Sequence, residues 1–503
     1  MIIYDYTKKE YVMNKFKSTR GDKREYTAAQ GIIAGLADDK GLLVPVELPK
    51  NCLDLEHLAT LDYQGVAMEV LGKFFDDFTE EEIRHCVYSA YDEKFDTEKV
   101  APLKEAGEAF FLELYHGKTS AFKDMALSIL PYLLTTSMKK ENEKNKICIL
   151  TATSGDTGKA ALEGFCDVPG TEIIVFYPED GVSQVQKQQM ITQEGANTHV
   201  FAIKGNFDDA QTGVKAIFND NEFGQKLLER GVKLSSANSI NIGRLVPQVA
   251  YYVSGYCQLV QQGKIKVGDE INVVVPTGNF GNILAAFYAR EMGVPIKKFI
   301  CASNENKVLT DFIRTGVYDT KRDFHLTNSP SMDILISSNL ERLLFHLSGG
   351  NAAEIAGLMK NLDEKKCYEV SDMIKEGLKA FYGGYATVAE TNQAIGAMYA
   401  ENGYVMDTHT AVAYKVYSDY KAETGDEAPA IIASTASPYK FAESVATSIG
   451  VGQEKDGFHY IKALCTKTGN PVPEGLRDLD KKEVRHKGVI EKGQMKDVVL
   501  ESL

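Results

Sequence analysis

From about residue 146 onward, short apolar runs rich in β-branched residues alternate with helical stretches, and this pattern limits the fold more than any other feature. The runs are Ile147–Thr151, Glu172–Tyr177, His199–Ile203, Lys233–Ser236, Ile271–Pro276 and Phe299–Ala302. Between them lie Gly158–Cys166, Val182–Ile191, Phe207–Asn219, Leu245–Gln262 and Asn282–Met292. Such alternation is the sign of βαβ units that build a parallel sheet covered by helices. Strands buried on both faces explain why the runs are apolar throughout. From about 304 to 401 the chain reads mostly helical (Met332–Leu347, Ala352–Leu362, Asp372–Phe381), and a further apolar strand follows at Ala428–Ala433. The helical block is therefore expected as an insertion before the last strand. Residues before about 110 look mixed, with helical periodicity at Tyr63–Phe75 and Thr79–Tyr88. The expected division is an N-terminal domain over 1–95, a large domain from 96–123 and 233–465, a small α/β domain over 124–232, and an extension over 466–503.

Composition narrows the function. At 503 residues the chain can bury a sizeable core, in two or three domains. A net charge of −14 argues against a nucleic-acid partner, which needs a basic face. The opening Met1–Glu10 lacks the apolar core of a signal peptide, and no apolar run reaches the ~18 residues of a membrane span. The eight cysteines are scattered without a CxxC pair, which reads as free thiols in a reducing cytoplasm. No metal-ligand spacing occurs among the nine histidines.

Five polar motifs stand out. Thr277-Gly278-Asn279-Phe280-Gly281-Asn282 follows an apolar run and precedes a good helix. Its glycines admit close backbone approach, and the helix N-terminus offers free N–H groups and a positive dipole end. It reads as a phosphate cradle or as a plain βα turn. Thr151-Ala152-Thr153-Ser154-Gly155-Asp156-Thr157-Gly158 puts four hydroxyls and a carboxylate at the end of another run. That is the edge where open α/β sheets bind ligands. Capping the next helix would need only one such residue. His116-Gly117-Lys118-Thr119-Ser120 tempts toward a P-loop, but position 112 is Leu where that motif requires Gly, so the reading fails. In the same segment, Lys123 lies between Phe122 and Asp124 at a helix start; it is either a solvated lysine or a desolvated amine suited to Schiff-base chemistry. Ser235–Arg244 gathers hydroxyl and amide donors with one arginine, suited to a phosphate or carboxylate. Ser434-Thr435-Ala436-Ser437-Pro438 again closes a strand with hydroxyls. His116 and His409 are the two histidines in motif-like surroundings.

As an ordered set, Ala-Phe-Lys-Asp, Thr-Ser-Gly-Asp-Thr-Gly, Asn-Ser-Ile-Asn-x-x-Arg, Thr-Gly-Asn-Phe-Gly-Asn and Ser-Thr-Ala resemble the threonine synthases, in particular their long bacterial and fungal branch. Gly41-Leu42-Leu43-Val44-Pro45 and Gly205–Ala210 fit as well, so the resemblance spans residues 1 to about 445. It implies the pyridoxal-phosphate fold type II, the tryptophan-synthase-β-like α/β fold. It further implies that Lys123 forms the Schiff base with pyridoxal 5′-phosphate and that Gly278, Asn279, Phe280, Gly281 and Asn282 hold the cofactor phosphate. Asp156 would lie near the ring hydroxyl and Thr435 would face the ring nitrogen. Asn238, Ser239 and Arg244 would bind the phosphate of O-phospho-L-homoserine, helped by Thr153 and Thr157. Ser154 and Gly155 would lie near its carboxylate. No metal is implied.

Three positions depart from the family pattern. Lys118 stands where His-Gly-Pro-Thr has proline, Ser437 where Ser-Thr-Ala-His-Pro has histidine, and Thr408 where Asp-Pro-His has proline. Lys118 could add a cation near the substrate phosphate. Two phosphates of about −2 each in an acidic protein need compensating charge, for which helix N-termini, Arg244, Lys118 and Lys123 are candidates. The expected enzyme is a cytoplasmic monomer or homodimer. The alternatives are a sibling serine/threonine dehydratase or phospholyase, which Arg244 and its neighbours weigh against, a catalytically dead small-molecule-binding regulator, which Lys123 weighs against, and a nucleotide-binding protein.

Overall fold

The computed structural model describes residues 14–180 and 182–503. The opening stretch Met1–Glu10 lies outside these residues. Two parallel sheets carry the architecture. The larger has six strands in the order Phe381–Tyr385, Ile296–Ser303, Ile271–Pro276, Ala430–Ser434, Ala109–Glu113 and Leu103–Ala106, all parallel except the last. The smaller runs Gly488–Glu491, Thr198–Lys204, Thr171–Pro178, Lys146–Ala152 and Val232–Ser235, parallel throughout.

Burial on both faces accounts for the uniform apolar runs. Ile271–Pro276 and Ala430–Ser434 are buried at every residue. In the smaller sheet, alternate side chains feed two separate cores. Ile147, Ile149, Ile173 and Val175 join the main cluster, while Cys148, Leu150, Ile174 and Phe176 pack with the helices Phe207–Asn219 and Asn221–Glu229. The main cluster continues through the buried helix Pro247–Gln261 into the N-terminal helices Tyr63–Phe74 and Glu80–Ala90. A second cluster covers the opposite face of the larger sheet, through Thr408–Thr424 and Ala442–Ser448.

Four features differ from the sequence reading. Val232–Ser235, assigned to the large domain as Lys233–Ser236, pairs with Lys146–Ala152 in the smaller sheet. The extension over 466–503 contributes Gly488–Glu491 as that sheet's outer strand. The block over 304–401 contains a strand of the larger sheet, Phe381–Tyr385. Its two glycines hid it from a propensity reading, and they are there for close packing: a Cβ on Gly383 would stand 2.9 Å from the Thr310 carbonyl oxygen. The helix expected over Met332–Leu347 begins only at Leu340. Asp333 explains the delay. Its carboxylate accepts hydrogen bonds from Asn304 Nδ2 and Thr327 Oγ1, both at 2.7 Å, and from Asn306 Nδ2 at 3.1 Å. These tertiary bonds hold residues 329–338 as a loop against the sheet ends.

Candidate active site

Each of the five motifs follows the C-terminal end of a parallel strand, where an open α/β sheet binds ligands. The loop after Ala109–Glu113 carries Lys123; the loop after Lys146–Ala152 carries Asp156. Those after Val232–Ser235, Ile271–Pro276 and Ala430–Ser434 carry Arg244, Gly278 and Thr435.

Lys123 is held from two sides. Asp124 anchors the preceding turn by accepting from Thr119 N at 2.8 Å and Thr119 Oγ1 at 2.6 Å. Gly117 allows this, since a Cβ there would stand 2.5 Å from that of Asp124. On the other side, Phe122 N donates to Thr435 O at 2.8 Å, and Ser437 N to Ser120 O at 3.0 Å. Ser120 pays for the tight path with φ of 59°. The Lys123 ammonium lies 3.6 Å from Asp156 Oδ2 and 3.4 Å from Ser331 Oγ. Burial, and then the nearby Arg244 and Lys440 charges, push it down to about 8 in spite of Asp156. A buried amine that titrates there can be neutral at working pH.

Asp156 opens the helix Asp156–Phe165, and Gly155 before it takes φ of +142°, open only to glycine. A Cβ at Gly155 would also strike Gln186. Asp156 Oδ1 accepts from Lys440 Nζ and Gln186 Nε2, both at 2.8 Å. Although burial opposes ionisation, Lys440 and then Lys123 hold this carboxyl far below its ordinary range. Thr153 Oγ1 accepts from Gly155 N and Gly158 N at 2.9 Å each, fixing the loop. Ser154 and Thr157 are half-buried.

The glycine motif forms a tight turn. Phe280 adopts the left-handed conformation at φ of 65°, and no side chain caps the helix Gly281–Met292. A Cβ on Gly278 would stand 2.6 Å from Ser331 O, so the Lys123 neighbour Ser331 also roofs this turn. Ser331 N in turn donates to His409 Nε2 at 3.2 Å, and His409 Nδ1 lies 2.8 Å from Asp407 Oδ2. Asn282 Oδ1 accepts from Tyr251 OH at 2.8 Å and from Tyr252 OH, while its buried Nδ2 has no partner among the described residues. Asn279 is exposed.

Arg244 is buried and makes no ion pair among the described residues. One nitrogen donates to Ala237 O at 2.6 Å, and the buried Nε has no partner among those residues. Burial pushes its guanidinium down to about 10. Ser239 Oγ accepts from Asn339 Nδ2 at 2.9 Å, while Asn238 is exposed. A second buried arginine behaves differently. Arg342 gives hydrogen bonds to Leu43 O, Ser239 O, Ile240 O and Asn339 Oδ1, and so staples the 239–240 loop to the N-terminal unit.

Sequence reasoning missed Lys440, Ser331, Gln186 and Arg342. Lys440 was signalled as a lone cation in Pro438-Tyr439-Lys440-Phe441-Ala442, and Ser331 by the serines flanking Pro330. Gln186 and Arg342 had no local signal. The structure places Lys118 half-exposed, 3.5 Å from Glu163. Ser437 Oγ caps the Pro438–Phe441 turn, and Thr408 Oγ1 donates to Asn328 O at 2.7 Å. His116 is held between Asp96 and Glu113.

Comparisons with known proteins bear on this arrangement. Residues 15–91 match the model of the threonine synthase N terminus, 97–435 that of pyridoxal-phosphate-dependent enzymes, and 410–499 that of the threonine synthase C-terminal region. Threonine synthase of Eremothecium gossypii is 33% identical over 507 residues, covering 94% of each chain. The chain belongs to the threonine synthase family. The crystal structure of pyridoxal-phosphate-bound threonine synthase from Brucella melitensis superposes with a TM-score of 0.85 at 34% identity, covering 97% of this chain and 99% of that one. Human threonine synthase-like 1 is 41% identical over 436 residues, but this chain spans only 58% of its length. The fold is accordingly fold type II of the pyridoxal-phosphate enzymes.

The residues present fit that cofactor. The uncapped helix N-terminus at Gly281 and the unpaired Asn282 amide suit a phosphate. The buried Lys123 amine, with its lowered pKa, suits a carbonyl.

Proposed function

We propose that the chain converts O-phospho-L-homoserine and water into L-threonine and phosphate. The observation that carries this reading is Arg244: a buried guanidinium without a carboxylate, close enough to Lys123 to depress its pKa. Leaving such a donor unpaired costs about 1–3 kcal/mol, which an anionic group on the substrate would offset. With the α-carboxylate read at Ser154 and Gly155, an unphosphorylated amino acid would bring no second anion to Arg244, which weighs against a dehydratase.

Pyridoxal 5′-phosphate, when bound, supplies an electron sink for charge that develops next to the substrate amine. In this reading Lys123 attaches the cofactor and, as a neutral amine, takes and returns the proton at the substrate Cα. Gly278–Asn282 would hold the cofactor phosphate, with Asp156 on the ring hydroxyl and Thr435 on the ring nitrogen. Arg244, with Asn238, Ser239, Thr153 and Thr157, receives the substrate phosphate. Ser154 and Gly155 orient the carboxylate. Water must be kept out until phosphate departs, which closure of the two sheet units around the loops would achieve. The enzyme is read as a cytoplasmic monomer or homodimer with no nucleic-acid or membrane partner. Its eight free cysteines support the compartment, and its net charge of −14 the lack of a nucleic-acid partner. Among the described residues no helix is long and apolar enough to cross a membrane.

The test is to incubate protein with O-phospho-L-homoserine and measure phosphate and threonine together, with Lys123→Ala alongside. Equal release of both, lost in the variant, is expected. Phosphate without threonine would instead identify a phospholyase.

A further inference from the structure

Lys440 has no part in the reading above, yet its side chain is 0% exposed. Lysines ordinarily bury the stem and leave the ammonium in water. A buried ammonium needs a partner, and the partner chosen here is the carboxylate that faces Lys123. Lys440 follows Thr435 in the turn Pro438–Phe441. Its Nζ lies 2.8 Å from Asp156 Oδ1 and donates to Thr119 O at 2.9 Å. It thus ties the loop that carries Lys123 to the loop that carries Asp156. Thr119 is the same residue whose N–H and O–H hold Asp124, next to Lys123. The other Asp156 oxygen faces Lys123 Nζ at 3.6 Å and Ser331 Oγ at 3.4 Å. The charged groups that face Lys123 are therefore Asp156, Arg244 and Lys440, from three different loops. Asp156 itself faces Lys440, Lys123 and the neutral Gln186.

Lys123 cannot balance Asp156 while its own amine is neutral, and a buried carboxylate without a cation would take up a proton or turn away. We propose that Lys440 is a positioning residue: it keeps Asp156 ionised and fixed opposite Lys123 whichever protonation state Lys123 holds. The Lys123 amine can then gain and lose its proton without the carboxylate following. This rests on the reading of Lys123 as the working amine, but the test does not require turnover.

The Lys123 amine is titrated in the cofactor-free chain by competitive acetylation with acetic anhydride across pH, with the modified peptide quantified by mass spectrometry. In Lys440→Met, Lys123 becomes the sole cation on Asp156, and one repelling charge is lost. Its pKa rises by at least one unit from near 8, leaving about tenfold less neutral amine at pH 7. Lys440→Arg keeps the charge and the parent titration. Asp156→Asn lowers the value, and Asp156→Asn with Lys440→Met returns it toward the parent. A purely structural role would lower the melting temperature of Lys440→Met and leave the Lys123 titration unmoved; that result overturns the proposal. Should the single variant not fold, the double variant, which removes the buried pair as a unit, decides. An equal shift of the Lys123 titration when Lys440→Met is added to the parent and to Asp156→Asn also overturns it, because an effect relayed by Asp156 must shrink once that carboxylate is gone.

Discussion

Asp156 and Arg244 are both buried ionic groups beside Lys123, and the protein treats them in opposite ways. Asp156 is oversupplied, with two lysines, a glutamine amide and a serine hydroxyl around it. Arg244 is undersupplied, with one carbonyl and an idle Nε. Asp156 is fixed by protein atoms before any ligand arrives. A group left short of partners shows where a ligand has to supply them. Arg342 sharpens the contrast, because it is as buried as Arg244 yet has four protein acceptors.

The difference can be broken by mutation. Lys123→Ala, on the satisfied side, is expected to lower threonine formation by about 10³-fold or more, measured as product release. Arg342→Met leaves buried oxygens unpaired and should cost about 2–4 kcal/mol in urea unfolding. Arg244→Met should cost little or nothing in that assay, since it removes an uncompensated charge, while kcat/KM falls by about 10²-fold. Equal destabilisation by the two arginine changes would erase the distinction. With the Gly278–Asn282 cradle filled by the cofactor, inorganic phosphate should raise the melting temperature of the parent and not of Arg244→Met.

His116 gives a smaller, pH-dependent effect. Burial opposes its charge, but the hydrogen bonds its ring N–H groups give to Asp96 and Glu113 raise it to about 9. A raised folded value means that the stabilisation is fully present below the unfolded value near 6.5 and is lost as pH rises through 9. His116→Gln should therefore cost about 1–2 kcal/mol at pH 6, discounted for the half-exposed Asp96, and nearly nothing above pH 9. Smallest of all is Lys118→Ala. Its half-exposed pairing with Glu163 predicts a change within about 0.5 kcal/mol and an unaltered KM.

The parallel strands were legible because burial on both faces leaves a continuous apolar run. The start of Phe207–Asn219 was legible because Asn206 and Asp209 form a capping box there. Phe381–Tyr385 was not legible, since its glycines serve the Thr310 backbone, a contact distant in sequence. The same holds at the site. Lys123, Asp156 and Arg244 announce themselves within local motifs. Gln186 reaches Asp156 across 30 residues and Ser331 reaches it across 175, and no periodicity encodes such a distance. Lys440 falls between these cases: its burial was visible in its apolar neighbours, but its partner was not.

The order of strands has a consequence for how the molecule comes into being on the ribosome. Ala430–Ser434 lies in the middle of the larger sheet, between Ile271–Pro276 and Ala109–Glu113. Gly488–Glu491 closes the edge of the smaller one. Neither sheet can be completed while the nascent chain is short. Most of the polypeptide must wait, partly assembled and with apolar strand edges open, for segments made near the end of translation. A stalled or prematurely ended chain would thus be left with an unfilled gap at the centre of one sheet, the kind of surface that chaperones recognise.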